Sequence, residues 1–215
     1  MNDKIGVIGS GQVGQVLAEG FLRHGHEVMR GSRDASKLAD WKKKAGAKAQ
    51  VGSLGDTARF GDIIVLAVKG TAAEEAVEQC GGGLDGKVVL DTTNPIADKP
   101  PTNGVLAYFT GPNESLMERL QRRAPKARFV KAFSCVGSAL MIDPKLPSKP
   151  SMFICGNDST SKERARGILE KFGWETEDMG SVEAARAIEP LCMLWCIPGL
   201  LRNDWGNRAF KVVRG

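Results

Sequence analysis

The chain has 215 residues, 42% of them hydrophobic and 26% charged, with a formal net charge of +5, which is an ordinary globular composition and excludes a disordered or low-complexity protein. The basic residues around Lys42-Lys43-Lys44 and between Arg119 and Arg128 are interleaved with acids and carry no aromatic platform, so no nucleic-acid partner is expected. Uninterrupted apolar runs fall short of the roughly 18 residues of a membrane span, and a strand begins at once, so neither membrane nor signal peptide is expected and the cytoplasm is the expected location.

In chain order, an apolar run over 4–8 predicts a buried strand, and 12–23 has helical apolar spacing, stopped by Gly25. A strand over 27–30, a helix over 35–45, a short strand near 47–51 and a short helix from Ser53 follow. Residues 62–68 are a clear buried strand, 71–79 a helix closed by Gly81-Gly82-Gly83, and 87–91 another strand. The stretch 94–113, rich in Pro, Gly and Asn, is the longest irregular segment. Asn113 is expected to cap a helix running to Arg123, and 127–132 is the next strand. Beyond the proline-rich 144–150 come a strand over 151–155, a helix over 159–172, a strand over 175–179 and a helical tail. Pro190 and Pro198 should kink or break that tail. The run 192–201 is apolar almost all round and so should be buried, in the core, against a second copy or along a cleft, with Trp195 and Trp205 able to cover a flat ring.

Strand–helix alternation predicts a Rossmann-type, doubly wound α/β fold with a mostly parallel sheet. Residues 1–145 are read as a nucleotide-binding domain, and 146–215 as a small C-terminal α/β-helical lobe completing a cleft and a dimer interface. The first strand-to-helix turn reads Gly9-Ser10-Gly11-Gln12-Val13-Gly14. That spacing is the dinucleotide fingerprint: Gly9 for the tight turn, Gly11 for close approach of a pyrophosphate, Gly14 for helix–strand packing. The helix N-terminus offers N–H groups and the positive end of its dipole to phosphate.

Where an NAD site places an acid about twenty residues past the glycines, this chain has Ser32 and Arg33, with Lys37 a turn further. A carboxylate would repel a 2′-phosphate, whereas a guanidinium and a hydroxyl bind it, so NADP(H) is the expected cofactor. The carboxyl ends of the strands should hold the nicotinamide. They read Ala67-Val68-Lys69, Thr92-Thr93-Asn94-Pro95 and Phe133-Ser134-Cys135. Thr92, Thr93, Asn94 and Ser134 offer small polar groups there.

Proton carriers are scarce. His24 and His26 lie at the opposite end of the sheet, and Lys69 is read either as an acid or, more simply, as a solvated loop lysine. Cys80, Cys135, Cys155, Cys192 and Cys196 are an odd, scattered set of reduced thiols. Cys192 and Cys196 lack metal-ligand spacing and are read as core thiols, so no metal is expected. Absence of an acid–base group favours hydride exchange between two redox cofactors.

The chain resembles the NADPH-dependent reductases of the deazaflavin coenzyme F420 over essentially its whole length. The likeness rests on Gly9 to Gly14, Gly31-Ser32-Arg33 with Lys37, Asp91-Thr92-Thr93-Asn94-Pro95 and Val130-Lys131-Ala132-Phe133. It continues through Phe153-Ile154-Cys155-Gly156-Asn157-Asp158, Ala187-Ile188-Glu189-Pro190-Leu191, Ile197-Pro198-Gly199 and Arg208-Ala209-Phe210. The cytosolic domain of the STEAP ferric reductases is a relative of this family. The resemblance implies that Ser32, Arg33 and Lys37 hold the 2′-phosphate and that the nicotinamide lies near Ala132 to Val136. It also implies a second coenzyme stacked in a cleft closed by the C-terminal helices, and a homodimer. Ser134-Cys135 departs from the family pattern and leaves the second substrate open between F420, a flavin and another small redox acceptor. Ser134 and Cys135 are the catalytic candidates, Cys135 as either a redox thiol or a small buried side chain.

The reading is an NADP(H)-dependent oxidoreductase. The alternatives are a non-catalytic NADP(H)-binding sensor or reductase-partner module, and a small hydroxyacid or imino-acid dehydrogenase. The last would want more helical chain after the sheet.

Overall fold

The computed structural model describes residues 3–215. Short apolar runs form strands because both faces are covered by helices. β1 (Lys4–Ile8) lies at the centre of the parallel sheet, paired with β2 (Glu27–Gly31) on one side and β4 (Ile63–Leu66) on the other. β3 (Ala49–Gly52) extends the first side; β5 (Val88–Asp91) and β6 (Arg128–Lys131) extend the second. The order β3-β2-β1-β4-β5-β6 reverses direction between β1 and β4, and ligands of such sheets bind at the carboxyl ends of the strands beside that reversal.

The helices on the sheet are α1 (Gln12–Arg23), α2 (Ala39–Lys44), α3 (Leu54–Phe60), α4 (Ala73–Cys80) and α5 (Leu116–Arg123). α1 buries Leu17, Ala18 and Phe21 and ends as expected at Gly25, whose positive φ lets the His26 N–H turn back to Phe21 O. The helix expected over 35–45 splits into a 3₁₀ turn (Ala35–Leu38) and α2, because the Asp34 side chain caps the tighter turn through Ser36. The cap of α5 is Ser115, not Asn113. Ser115 and Glu118 form a reciprocal capping box, a signature that outweighs an isolated Asn.

After the sheet come β7 (Ser151–Ile154), α6 (Ser159–Lys171) and β8 (Glu175–Asp178), a small parallel β–α–β unit. One core cluster includes Val130, Ala132 and Phe133 of the first stretch with Met152, Ile154 and Trp174 of the second. The tail forms α7 (Ala185–Ile188) and α8 (Pro190–Arg202). Pro190 opens α8 at its first position, where its missing N–H costs nothing, and so breaks the tail as expected. Pro198 sits inside α8 without ending it.

Burial of the tail is the expectation that the single chain does not meet. Only Gly199 of α8 is buried, while Leu194 and Leu201 are 56% and 55% exposed. The helix packs on one side only and leaves its other apolar face open. The stretch 182–202 is long and apolar enough to cross a membrane by length and composition alone. Within it, however, Glu189 is tied into a buried ion network.

Candidate functional site

The glycine turn is built by close approach. Gly9 has a φ of +144°, and a Cβ there would lie 2.2 Å from Ala67 O. A Cβ on Gly14 would lie 2.8 Å from Gly9 O, so helix and strand could not pack as they do. Gly11 differs: a Cβ there would meet nothing within 4 Å, because the residue faces open space. Gly11 is also the N-cap of α1 and has no side chain to cap it. The first bond of the helix runs from Gln15 N–H to Gly11 O at 3.0 Å. The N–H groups of Gln12, Val13 and Gly14 precede it and remain for a ligand.

Beside this turn is a cavity of about 210 Å³, lined among others by Gly9, Ser10, Ser32, Arg33, Lys37 and Lys69. It brings together residues from the ends of β1, β2 and β4. Ser32 is buried, and its Oγ accepts the Asp34 N–H at 3.2 Å, which leaves the hydroxyl proton to donate. Asp34 is engaged away from Arg33: its Oδ1 accepts from Ser36 N and Oγ at 3.0 and 2.6 Å. Those bonds hold its carboxyl below the usual range. Arg33 instead reaches Glu75 across the cavity mouth, Nη1 to Oε2 at 3.0 Å. Both side chains are more than half exposed, so the pair is weak and exchangeable.

The strand ends supply the second half of the cleft. Val68 and Lys69 line the same cavity, and Lys69 is paired with Asp98. Asn94 Nδ2 donates to Ser134 O at 2.8 Å, joining the ends of β5 and β6. Asn94 Oδ1 and Ser134 Oγ are both buried without a hydrogen-bond partner. Buried orphans of this kind call for a ligand group or water. Phe133, between Ala132 and Ser134, has a φ of +60°. That conformation costs a bulky residue roughly 1–2 kcal/mol and persists only where the surroundings enforce it. Here Phe133 N–H meets Met152 Sδ at 3.2 Å, and its ring is buried.

Ala132, Cys135 and Val136 are buried in the core beneath this turn. Burial pushes the Cys135 thiol up to about 11, so it is a neutral thiol at physiological pH. The hydrogen bond with Cys196 and burial push the Cys192 thiol up, while the same bond lowers Cys196. Cys192 and Cys196 are half-buried in α8 rather than in the core. Among the described residues no group of three or more His, Cys, Asp or Glu could hold a metal ion. His26 Nδ1 contacts Asp3 O, and His24 faces Asp143, both at the amino-terminal edge of the sheet.

Two features of the site escape the sequence. One is Arg30, buried in β2 with Nη2 beneath Gly9 O and Gly11 O; its only sequence signal is a charge inside an otherwise strand-like run. The other is a buried network. Lys131 Nζ lies 2.7 Å from Asp91 Oδ2, 2.9 Å from Glu189 Oε1 and 2.9 Å from Thr93 O. Burial pulls the lysine pKa down, but Asp91 and Glu189 outweigh it and leave the pKa above the ordinary value. Asp91 Oδ1 also accepts from Thr93 N and Oγ1, fixing the start of the 92–95 loop. Glu189 accepts the Leu116 and Met117 N–H groups at the start of α5, each at 3.0 Å. Three motifs that are far apart in sequence, at 91–95, 130–133 and 187–191, therefore meet at one ion network.

The geometry fits a phosphorylated dinucleotide. Gly11 leaves the room, the α1 N-terminus and the Ser32–Arg33–Lys37 group supply donors, and Asn94 and Ser134 hold unspent polar atoms at the other end. Residues 4–95 match the family described as NADP oxidoreductase, coenzyme F420-dependent. The chain is 27% identical over 206 residues to the F420-dependent NADP reductase of Methanocaldococcus jannaschii, covering 89% of this chain and 90% of that protein. It is 28% identical over 205 residues to the metalloreductase STEAP3 of Rattus norvegicus, covering 92% of this chain and 39% of that protein. A crystal structure from Arthrobacter sp. FB24, provisionally assigned as an F420-dependent NADP-reductase, superposes with a TM-score of 0.92 at 27% identity. It covers 99% of this chain and 100% of the other. The chain is thus similar over its first 95 residues to this family's model, and over most of its length to NADP-dependent oxidoreductases.

Proposed function

We propose that the protein transfers hydride between NADP(H) and a flat acceptor of the flavin or deazaflavin type. The observation that carries the cofactor half is the single cavity in which Gly9, Ser10, Ser32, Arg33 and Lys37 converge. The α1 amides receive the pyrophosphate. Arg33 exchanges its exposed contact with Glu75 for the 2′-phosphate, joined by the Ser32 hydroxyl and the Lys37 ammonium. Asn94 Oδ1 and Ser134 Oγ orient the polar substituent of the ring at the strand ends. When bound, NADPH supplies the hydride.

The acceptor half is supported by what the strand ends lack. Among the described residues near Asn94 and Ser134 no histidine or free carboxylate stands ready to move a proton, Lys69 is paired with Asp98, and Cys135 stays protonated. Hydride passing between two ring systems needs no such group on the protein, whereas reduction of a carbonyl or imine does. The names of the F420-dependent NADP reductases point the same way, whereas that of STEAP3 points to a metal ion as acceptor.

The test is NADPH oxidation followed by absorbance with F420, FMN, FAD and a ferric chelate in parallel. Turnover with at least one ring acceptor is expected. Binding of NADPH with turnover of none would favour a non-catalytic sensor and overturn the hydride-transfer reading.

A further inference from the structure

Arg30 lies near the carboxyl end of β2, an inner strand of the parallel sheet, and is 1% exposed. An arginine in such a place needs a reason, because burying a cation is costly unless its donors are used. Two of its surroundings are clear. Nη2 donates to Gly9 O at 3.2 Å and to Gly11 O at 3.3 Å, and the guanidinium lies 4.9 Å from the Trp41 ring. Nε is buried without a partner, so the side chain is not placed to satisfy all its own donors. Burial lowers its pKa to about 10, partly offset by Glu19, and it remains a cation at neutral pH.

The two carbonyls that it holds are the informative ones. Gly9 O and Ser10 N–H belong to one trans peptide unit and point in opposite directions, as do Gly11 O and Gln12 N–H. Arg30 grips both carbonyls from beneath the turn. It thereby holds the Ser10 N–H on the opposite side, where Ser10 lines the cleft, and it shares with the Gln15 N–H the task of holding Gly11 O, and so the Gln12 N–H, in place. A cation on a carbonyl also polarises the peptide and strengthens its N–H as a donor.

We propose that Arg30 is a positioning residue of the pyrophosphate site, aiming and polarising the Ser10 and Gln12 amides from behind the glycine turn. It touches no ligand. Its effect falls on the pyrophosphate that NADPH, NADH and ADP-ribose share, and not on the 2′-phosphate held by Arg33. The inference rests on the dinucleotide reading above.

The test uses calorimetric titration of NADPH, NADH, ADP-ribose and 2′-AMP into wild type, Arg30→Met and Arg33→Ala, with thermal unfolding of each. Methionine keeps much of the volume against Trp41 and removes the charge. Arg30→Met should weaken the three pyrophosphate ligands by similar factors of about ten or more and leave 2′-AMP within about twofold, the scale of a lost charge-assisted contact. Arg33→Ala should show the opposite pattern, weakening NADPH and 2′-AMP. Equal affinities in wild type and Arg30→Met would overturn the proposal and leave Arg30 as a core plug. So would a loss confined to NADPH, or one that falls as heavily on 2′-AMP. Should Arg30→Met not fold, Arg30→Lys carries the test. It keeps the charge but cannot span both carbonyls, so the same ligand pattern is expected at about threefold or more, and undiminished affinity overturns the proposal. Failure of the wild type to bind NADPH or ADP-ribose would instead sink the dinucleotide reading itself.

Discussion

Gly9, Gly11 and Gly14 share one motif, yet space around them differs, and so do the consequences of filling it. At Gly9 both a φ of +144° and the 2.2 Å that a Cβ would leave to Ala67 O forbid a side chain, so substitution there damages the fold. At Gly11 a side chain meets nothing in the protein. Gly11→Val should therefore leave the melting temperature within a few degrees of wild type while weakening NADPH binding about tenfold or more, since it fills the room that the phosphates need. Normal NADPH affinity in a folded Gly11→Val protein would mean that the cofactor does not lie over this turn. The glycines could be read from sequence because backbone sterics tie their spacing to one turn geometry. Arg30 could not, since strand propensity says nothing about which carbonyls a side chain will reach.

The elements show the same division. Strand and helix positions followed from apolar periodicity, and the capping box of α5 shows what local chemistry adds. Glu118 is bound by Arg186 at 2.5 Å as well as by Ser115, and the Arg186 bond foremost holds its carboxyl down to about 2. A carboxyl whose folded pKa lies below its unfolded value stabilises the fold above the unfolded pKa and loses that stabilisation as pH falls through the folded one. Stability should thus fall between about pH 4.5 and 2 in part through this residue. Glu118→Gln should cost about 1–3 kcal/mol at pH 7 and flatten the acid limb of a denaturation-against-pH series. An unchanged acid limb would show that Glu118 is not the group responsible. The open face of α8 was not legible at this scale: an apolar helix predicts burial, but composition does not say against what.

Across the whole molecule, Lys131, Asp91 and Glu189 bind the sheet, the start of α5 and the α7–α8 corner into one unit. Tyr108 of the irregular 94–113 segment joins it through Glu189 O at 2.8 Å. The Lys131–Glu189 link was not legible, because nothing local marks residues so far apart as partners. Removing the cation would leave two buried carboxylates facing one another. Lys131→Met should cost about 3–5 kcal/mol in chemical denaturation and loosen the 92–95 loop. A cost under about 1 kcal/mol would show that the network is not an ion pair at work in the folded protein.

On the proposed function, this turn and the Ser32–Arg33–Lys37 group select the phosphorylated cofactor. Titration of NADPH and NADH against wild type and Arg33→Ala measures it directly. NADPH should bind wild type at least tenfold more tightly than NADH. Arg33→Ala should lose about 1.5–3 kcal/mol of NADPH affinity, the value of a hydrogen bond to a charged group, and almost none for NADH. Equal or tighter binding of NADH by the wild type would contradict the account.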